Sequence, residues 1–312
     1  MAQITEDDLK DLPGNYDSCR KRGEVLIGED DARLLIEACR SGDDATLESL
    51  LLQPHWIDKL FQRVHSIYYE SRPSRGPDDI RQVSAAPTSH LERALETAAE
   101  SGHASAVSSL LSFAKKQGVN TSDLITRTLV RHVIQRSPNA AVLKVLGLEQ
   151  PSIVSTQINH GAMPLFEAVR QRKTAMAAVL LELGADPFQP FDHPITSPGA
   201  YRSSLMYFAA YSDGPRMTEM LLECKLPIAG TSALHNAAKR EALDIMRVLI
   251  QHGADVNEAL KPWRRWTPMH FAASEGRLEA MKMLEENGAR LDVEDQSGKT
   301  PKQLLEERSI KS

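Results

Sequence analysis

The stretch TPMHFAASEGRLEAMKMLEENGA, which begins at Thr267, can be laid over three upstream stretches so that similar residues fall at the same places. SALHNAAKREALDIMRVLIQHGADVN begins at Ser232, SLMYFAAYSDGPRMTEMLLE at Ser204 and MPLFEAVRQRKTAMAAVLLELGAD at Met163. Weaker copies start near Thr128, Arg93 and Arg33, and a partial one at Thr300. The starts at 33, 93, 128, 163, 204, 232, 267 and 300 are separated by 60, 35, 35, 41, 28, 35 and 33 residues. This periodicity constrains the fold more than any other feature of the chain. Units this short cannot bury an apolar face alone, so they stack and share one.

Each unit reads as helix, tight turn, helix. Thr267 at a helix start caps free N–H groups, Pro268 at the first helical position loses no hydrogen bond, and Ala272 and Ala273 let neighbouring helices approach closely. In the second helices Leu180, Leu181, Leu221, Leu222, Leu249 and Ile250 form an apolar stripe that needs a neighbour. GADVN at Gly253 and GARLD at Gly288 end helices with glycine at the left-handed position and turn the chain outward. The frame resembles the ankyrin repeat family, whose unit is about 33 residues with a T-P-L-H-x-A signature. Thr-Pro is kept at Thr267–Pro268 and Thr300–Pro301, and the signature histidine at His235 and His270.

The resemblance implies an all-α fold, an ankyrin-type α-solenoid of stacked helix-turn-helix repeats with finger loops. Residues 29–312 are expected to hold about seven repeats, closed by a C-terminal capping helix after Thr300 through Leu304 and Leu305. Residues 1–28 are acidic and weakly periodic, and are expected to form an N-terminal arm or cap. The 60-residue step is assigned to an insert at 53–90. There Ile57, Leu60, Phe61, Val64 and Ile67 have helical spacing, which predicts an amphipathic helix over 57–69. The Pro/Arg/Ser-rich stretch 71–89 follows as an irregular loop.

A net charge of −5 offers no general attraction to nucleic acid or anionic lipid, and no run of ~18 apolar residues predicts a membrane span. Cys19, Cys39 and Cys224 are far apart and odd in number, which reads as three reduced thiols rather than a metal or disulfide framework. The N-terminus lacks the basic-then-apolar layout of a secretory signal. The expectation is a cytoplasmic protein, with the nucleus as the alternative.

No phosphate-cradling glycine loop, nucleophile elbow, H-E-x-x-H helix or EF-hand loop is present, so neither a metal nor a cofactor is expected. His235 and His270 occupy the family's structural histidine position, and the resemblance gives them hydrogen bonds within the helix-start loop. Asp186 and Asp255 belong to GAD turns and read as caps.

The irregular steps attract attention for another reason. The 41-residue step inserts PFQPFDHPITSPGAYR, and the following 35-residue step carries EALKPWRRW, while the 28-residue step between them is too short for a full finger. Long, short, long along a stack predicts a notch. Its walls would be Phe188, Phe191, His193, Tyr201, Arg202 and Tyr207 on one side and Trp263, Arg264, Arg265 and Trp266 on the other. Trp, Tyr and Arg are the types most enriched among binding hot spots. The opposing expectation is that these rings pack the long loops onto their own repeats, with the arginines stacked on the tryptophans.

The resemblance implies a non-catalytic module binding a protein partner through finger loops and the concave helix face. The alternative is a small-molecule site, or an enzyme, between the loops at 186–203 and 256–266. It would perform non-metal acid–base chemistry on an apolar, partly anionic molecule, with His193 as general base oriented by Asp192.

Overall fold

The structure is a computed structural model, and it describes residues 22–25, 30–54, 57, 60–61, 63–64, 67–71, 80–84, 88–158, 161–188, 204–261 and 264–311. Contacts divide the chain into two compact units, Met1–Leu124 and Ile125–Ser312.

Among its described residues the first unit holds two helix pairs, Asp30–Ser41 with Asp44–Leu51 and His90–Ser101 with Ala104–Lys116, followed by the single turn Thr121–Leu124. Local chemistry sets their starts. The Ser89 hydroxyl accepts from the Glu92 N–H (3.1 Å) while the Glu92 carboxylate accepts from the Ser89 N–H (2.6 Å), a reciprocal capping box. Asp43 caps the second helix by accepting from the Thr46 N–H at 3.1 Å. Leu35, Leu47, Leu91, Leu95 and Leu110 fill the space between the pairs and are essentially inaccessible.

Short strands precede and separate the pairs: β1 (Arg22–Val25) before the first, and β2 (Arg63–Val64), β3 (Ile67–Ser71), β4 (Ile80–Ser84) and β5 (Thr88–Ser89) between the two. β3 is central, antiparallel to β1 with Glu24 opposite Tyr68, and to β4 with Tyr69 opposite Gln82. β2 pairs with β5. The amphipathic helix expected over 57–69 is therefore not formed at 63–64 or 67–71, and the expected irregular loop holds β4. Helical spacing of apolar residues competed here with residue type. Val64, Ile67, Tyr68 and Tyr69 are β-branched or aromatic and fit a pleated surface; Val64 pairs with Thr88, and Ile67, Tyr68 and Tyr69 have a partner strand on each side.

Among the described residues the second unit holds five α-helix pairs and a last α-helix. Repeat three is Arg127–Arg136 and Ala140–Glu149, repeat four Pro164–Arg170 and Thr174–Glu182, and repeat five Leu205–Ala209 and Arg216–Glu223. Repeat six is Ala233–Arg240 and Leu243–Gln251, and repeat seven Pro268–Ser274 and Leu278–Glu286. Pro301–Lys311 closes the unit against the first helix of repeat seven, with Pro301 buried and Leu304 and Leu305 half-buried. Among the described residues this gives the seven expected pairs and the final helix, each starting within three residues of its expected position. Leu180, Leu221 and Leu249 are fully buried, and Gly253 and Gly288 take the left-handed conformation (φ 85° each) that ends their helices.

One device recurs from repeat to repeat. A helix leaves its last carbonyls without internal partners, and a cationic or imidazole N–H from the next repeat supplies them. In the first unit His103 Nε2 donates to the Arg40 carbonyl (3.0 Å). In the second, Lys173 donates to Gln135 (2.9 Å), Arg240 to Ala210 (2.8 Å), Arg277 to Lys239 (3.2 Å) and Arg308 to Ser274 (3.0 Å). Among the described residues the opposite end is served once. Arg277 gives the second helix of repeat seven no side-chain cap, and Glu241 of repeat six accepts from Glu279 N–H (3.0 Å) and Ala280 N–H (3.4 Å) instead.

Glu241 does this from a left-handed backbone (φ 59°) at the turn where repeat seven has Gly276 (φ 65°). Glu241→Ala is expected to cost about 1–2 kcal/mol in a denaturant melt, since it removes the cap and keeps the strain. Glu241→Gly is expected to cost clearly less, because glycine relieves the strain while losing the same cap.

Candidate interaction face of repeats four to seven

Phe166, Tyr207, His235 and His270 occupy one position of the repeat frame, the third residue after each start at 163, 204, 232 and 267. Where repeats six and seven keep histidine, repeats four and five carry aromatic rings. The next position holds Glu167, Phe208, Asn236 and Phe271. One helical turn further stand Arg170, Tyr211, Lys239 and Ser274. Helical spacing places these residues on a common face of the first helices.

On that face a ladder of rings runs from repeat four into repeat five and is joined to repeat six through Asn236 and Arg240. Phe208 meets Phe166 edge-on (centroids 5.2 Å, 82°), Tyr207 meets Phe208 edge-on (5.1 Å, 83°), and Tyr207 lies 5.4 Å from Tyr211. Edge-to-face pairing favours such geometry through the ring quadrupoles. The hydroxyls are ordered as well. Tyr211 donates to Asn236 Oδ1 (3.0 Å), which leaves its oxygen to accept from Tyr207 at 3.3 Å. Asn236 is fixed in turn by donating to the Ser232 carbonyl (2.9 Å). Arg240 holds its guanidinium 5.2 Å from the Tyr211 centroid while bonding to Ala210. Tyr207, Phe208 and Tyr211 remain half-exposed, so the ladder presents ordered aromatic edges to solvent.

Charge alternates along the same face. Glu167 is buried, and its carboxylate takes two bonds from Arg170 (2.9 and 2.6 Å) and one from Gln171 (2.5 Å). Burial would raise this carboxyl; the bonds from Arg170 and Gln171 reverse the effect and hold it below the usual range. Further on, Glu275 sits between Lys239 (3.5 Å) and Arg308 (3.7 Å).

The fingers are built on the two histidines. His235 Nε2 donates to the Glu258 carbonyl (2.8 Å), and Glu258 also accepts the Gly230 N–H (2.7 Å), tying the short finger before repeat six to the one after it. Burial pushes His235 down to about 4, against the opposing effect of that bond. His270 Nδ1 bonds within the helix start, to the Thr267 N–H (3.2 Å) and hydroxyl (2.8 Å), and its Nε2 donates to the Lys299 carbonyl (3.3 Å). Asp186 and Asp255 accept from the N–H groups two residues on, Phe188 (2.9 Å) and Asn257 (2.8 Å), as turn caps do.

Of the residues expected at the notch, Phe188, Tyr207, Arg264, Arg265 and Trp266 lie in described segments. Phe191, Asp192, His193, Tyr201, Arg202 and Trp263 lie outside the described residues. Trp266 is half-buried and its indole N–H donates to Asp295 (2.8 Å) in the next finger; its ring stacks on His270 (6.2 Å, 18°) and meets Phe271 edge-on (5.2 Å, 83°). Asp295 also accepts from the Ser297 N–H and hydroxyl (2.7 Å each) and the Lys299 N–H (3.0 Å). Burial would raise the Asp295 carboxyl, yet these bonds hold it far below the ordinary carboxylate range. Tyr207 joins the ladder, Phe188 is 59% exposed, and Arg264 and Arg265 are exposed at a finger tip.

Sequence reasoning did not single out Phe166, Asn236, Arg240 or Asp295 for these roles. The replacement of the signature histidine by Phe166 and Tyr207 was the available signal for the ladder. Nothing in the sequence marked Asp295, which meets Trp266 only through the stacking of fingers.

Comparison with known proteins agrees with this architecture. A family model described as ankyrin repeats, three copies, matches residues 205–295. Among curated proteins, protein phosphatase 1 regulatory subunit 12A of Mus musculus is 35% identical over 79 residues, 25% of this chain and 8% of that protein. Protein phosphatase 1 regulatory subunit 27 of Homo sapiens is 31% identical over 78 residues, covering 25% and 49%. Cyclin-dependent kinase 4 inhibitor B of Homo sapiens is 44% identical over 64 residues, covering 20% and 46%. The chain thus spans less than half the length of each of these relatives. Among solved structures, the ankyrin repeat domain of Bcl-3 superposes with a TM-score of 0.49 at 20% identity, covering 68% of this chain and 96% of that one. Residues 205–295 of the chain are ankyrin repeats. None of its described helices is long and apolar enough to cross a membrane.

Proposed function

We propose that the chain is a protein-interaction module that engages its partner through the first-helix face and fingers of repeats four to seven. The observation that carries this reading is the ring ladder, half-exposed yet ordered by its own hydroxyl and guanidinium contacts. Aromatic rings and arginine held in one conformation before binding lose little entropy on binding, which is what makes such residues effective anchors. The relatives point the same way, since their names describe regulatory subunits of a phosphatase and an inhibitor of a kinase. The free thiols Cys39 and Cys224 suit a reducing compartment, the cytoplasm or nucleus.

The test is capture from lysate with matched baits. Wild type is compared with Tyr211→Ala and with Arg247→Gln, whose arginine pairs with Asp244 on a second helix, away from the face. Thermal melts first establish that each bait is folded. Proteins retained by wild type and by Arg247→Gln are expected to fall at least tenfold on Tyr211→Ala, as for loss of an anchor of about 1.4 kcal/mol or more. Identical retention on all three baits would place binding elsewhere.

A further inference from the structure

The finger tip at 264–265 differs from the other arginines described in repeats four to seven and the closing helix. Arg170, Arg172, Arg216, Arg247, Arg290 and Arg308 each meet a carboxylate, and Arg240 and Arg277 each donate to a helix-end carbonyl. Arg264 and Arg265 are exposed and have no ion pair among the described residues, and Lys261 beside them is exposed too. In a chain of net charge −5, Lys261, Arg264 and Arg265 are three exposed cations within five residues.

The tip is also held rigidly. Leu260 N–H donates to the Trp266 carbonyl and Arg265 N–H to the Leu260 carbonyl (3.1 Å each), closing an antiparallel bridge between Leu260 and Trp266. Gln296 N–H donates to the Arg264 carbonyl (2.8 Å), and the Trp266–Asp295 bond secures the base. Both arginines sit in the left-handed region, φ 55° and 59°, where asparagine or glycine is the favourable residue. Two long cationic side chains at strained positions do not serve the turn. What they do is keep two guanidiniums in water on a turn fixed by backbone hydrogen bonds.

We infer that Arg264 and Arg265 form a receptor for a carboxylate-rich segment of the partner protein, each guanidinium being suited to bidentate pairing with one carboxylate. This rests on the reading of the chain as an interaction module and names the chemistry of what this finger meets. Nucleic acid is a poorer match, because phosphate tracking needs a long basic stripe rather than one tip on an acidic chain.

The test uses the full chain and a fluorescein-labelled hexaglutamate peptide, with the hexaglutamine peptide as the uncharged control, read by anisotropy at low and at high salt. Hexaglutamate is expected to bind, to weaken as salt rises, and to lose about tenfold or more in affinity on Arg264→Asn/Arg265→Gly. That double substitution suits the left-handed backbone, so its melting midpoint is expected to equal or exceed that of wild type. Arg247→Gln is expected to bind as wild type does. Equal hexaglutamate binding by the double variant, equal binding of hexaglutamine, or preferential binding of a single-stranded oligonucleotide would overturn the inference. If capture is lost on Tyr211→Ala while hexaglutamate ignores the arginines, the interaction reading survives and this one fails. If hexaglutamate needs the arginines while capture ignores Tyr211, the contact face proper is what fails.

Discussion

Replacing Trp266 by alanine is expected to lower the stability of repeat seven by about 3–5 kcal/mol, the usual range for removing a large packed ring. The indole fills the joint between two fingers, with His270 on its face, Phe271 against it and its N–H on Asp295. Truncation removes the packing and deprives the buried Asp295 carboxylate of one of its donors, a loss dearer for a charged group than for a neutral one. Asp295→Asn leaves the packing and is expected to cost less than Trp266→Ala. Because repeats unfold partly as neighbours rather than all together, the loss should concentrate in 264–311 and register as faster hydrogen exchange there. A change below about 1 kcal/mol in a urea melt would show that the joint is not built as described. A ring so engaged supports the finger that carries Arg264 and Arg265; its own hot-spot character has to be read apart from its effect on stability.

The second large effect is a loss of stability in mild acid through His235. Its folded value is about 4, against about 6.5 for an unfolded histidine, because burial disfavours the imidazolium. Nε2 already donates to Glu258, and protonation would place a second N–H at Nδ1, which is buried and has no partner among the described residues. Above pH ~6.5 both states are neutral here and the group is without effect. As pH falls from there toward 4 the unfolded chain takes up the proton first, so stability falls across that window, by on the order of 3 kcal/mol in total. His270 is also lowered by burial and adds in the same direction. The check is a series of urea melts between neutral pH and pH 4 on wild type and His235→Gln, which keeps a donor near Nε2 and cannot charge. A pH slope no smaller in the variant would contradict the assignment.

The repeats were legible because their information is local and redundant. Thr267–Pro268, the alanine pairs and the leucines at 180, 221 and 249 each report a helix start or a buried stripe, and the spacing repeats the message. The sheet of the first unit was not. Its strand at 22–25 meets the one at 67–71 only through pairing about 40 to 50 residues along the chain, and the apolar residues from Ile57 to Ile67 satisfy a helical spacing while Tyr68 and Tyr69 favour a strand. At the candidate site, composition marked Tyr207, Arg264, Arg265 and Trp266, but not which of them are engaged by their own fold. That distinction depends on Asp295, 29 residues beyond Trp266, and on Asn236, 25 residues beyond Tyr211, contacts that exist only once one repeat is laid on the next.

The most direct test of the interaction face is hydrogen exchange of the full chain with and without its captured partner. Protection is expected at 205–212, 236–240 and 264–266, with the second helices at 216–223 and 243–251 unchanged. Protection confined to those second helices, or to residues 30–124, would contradict the account.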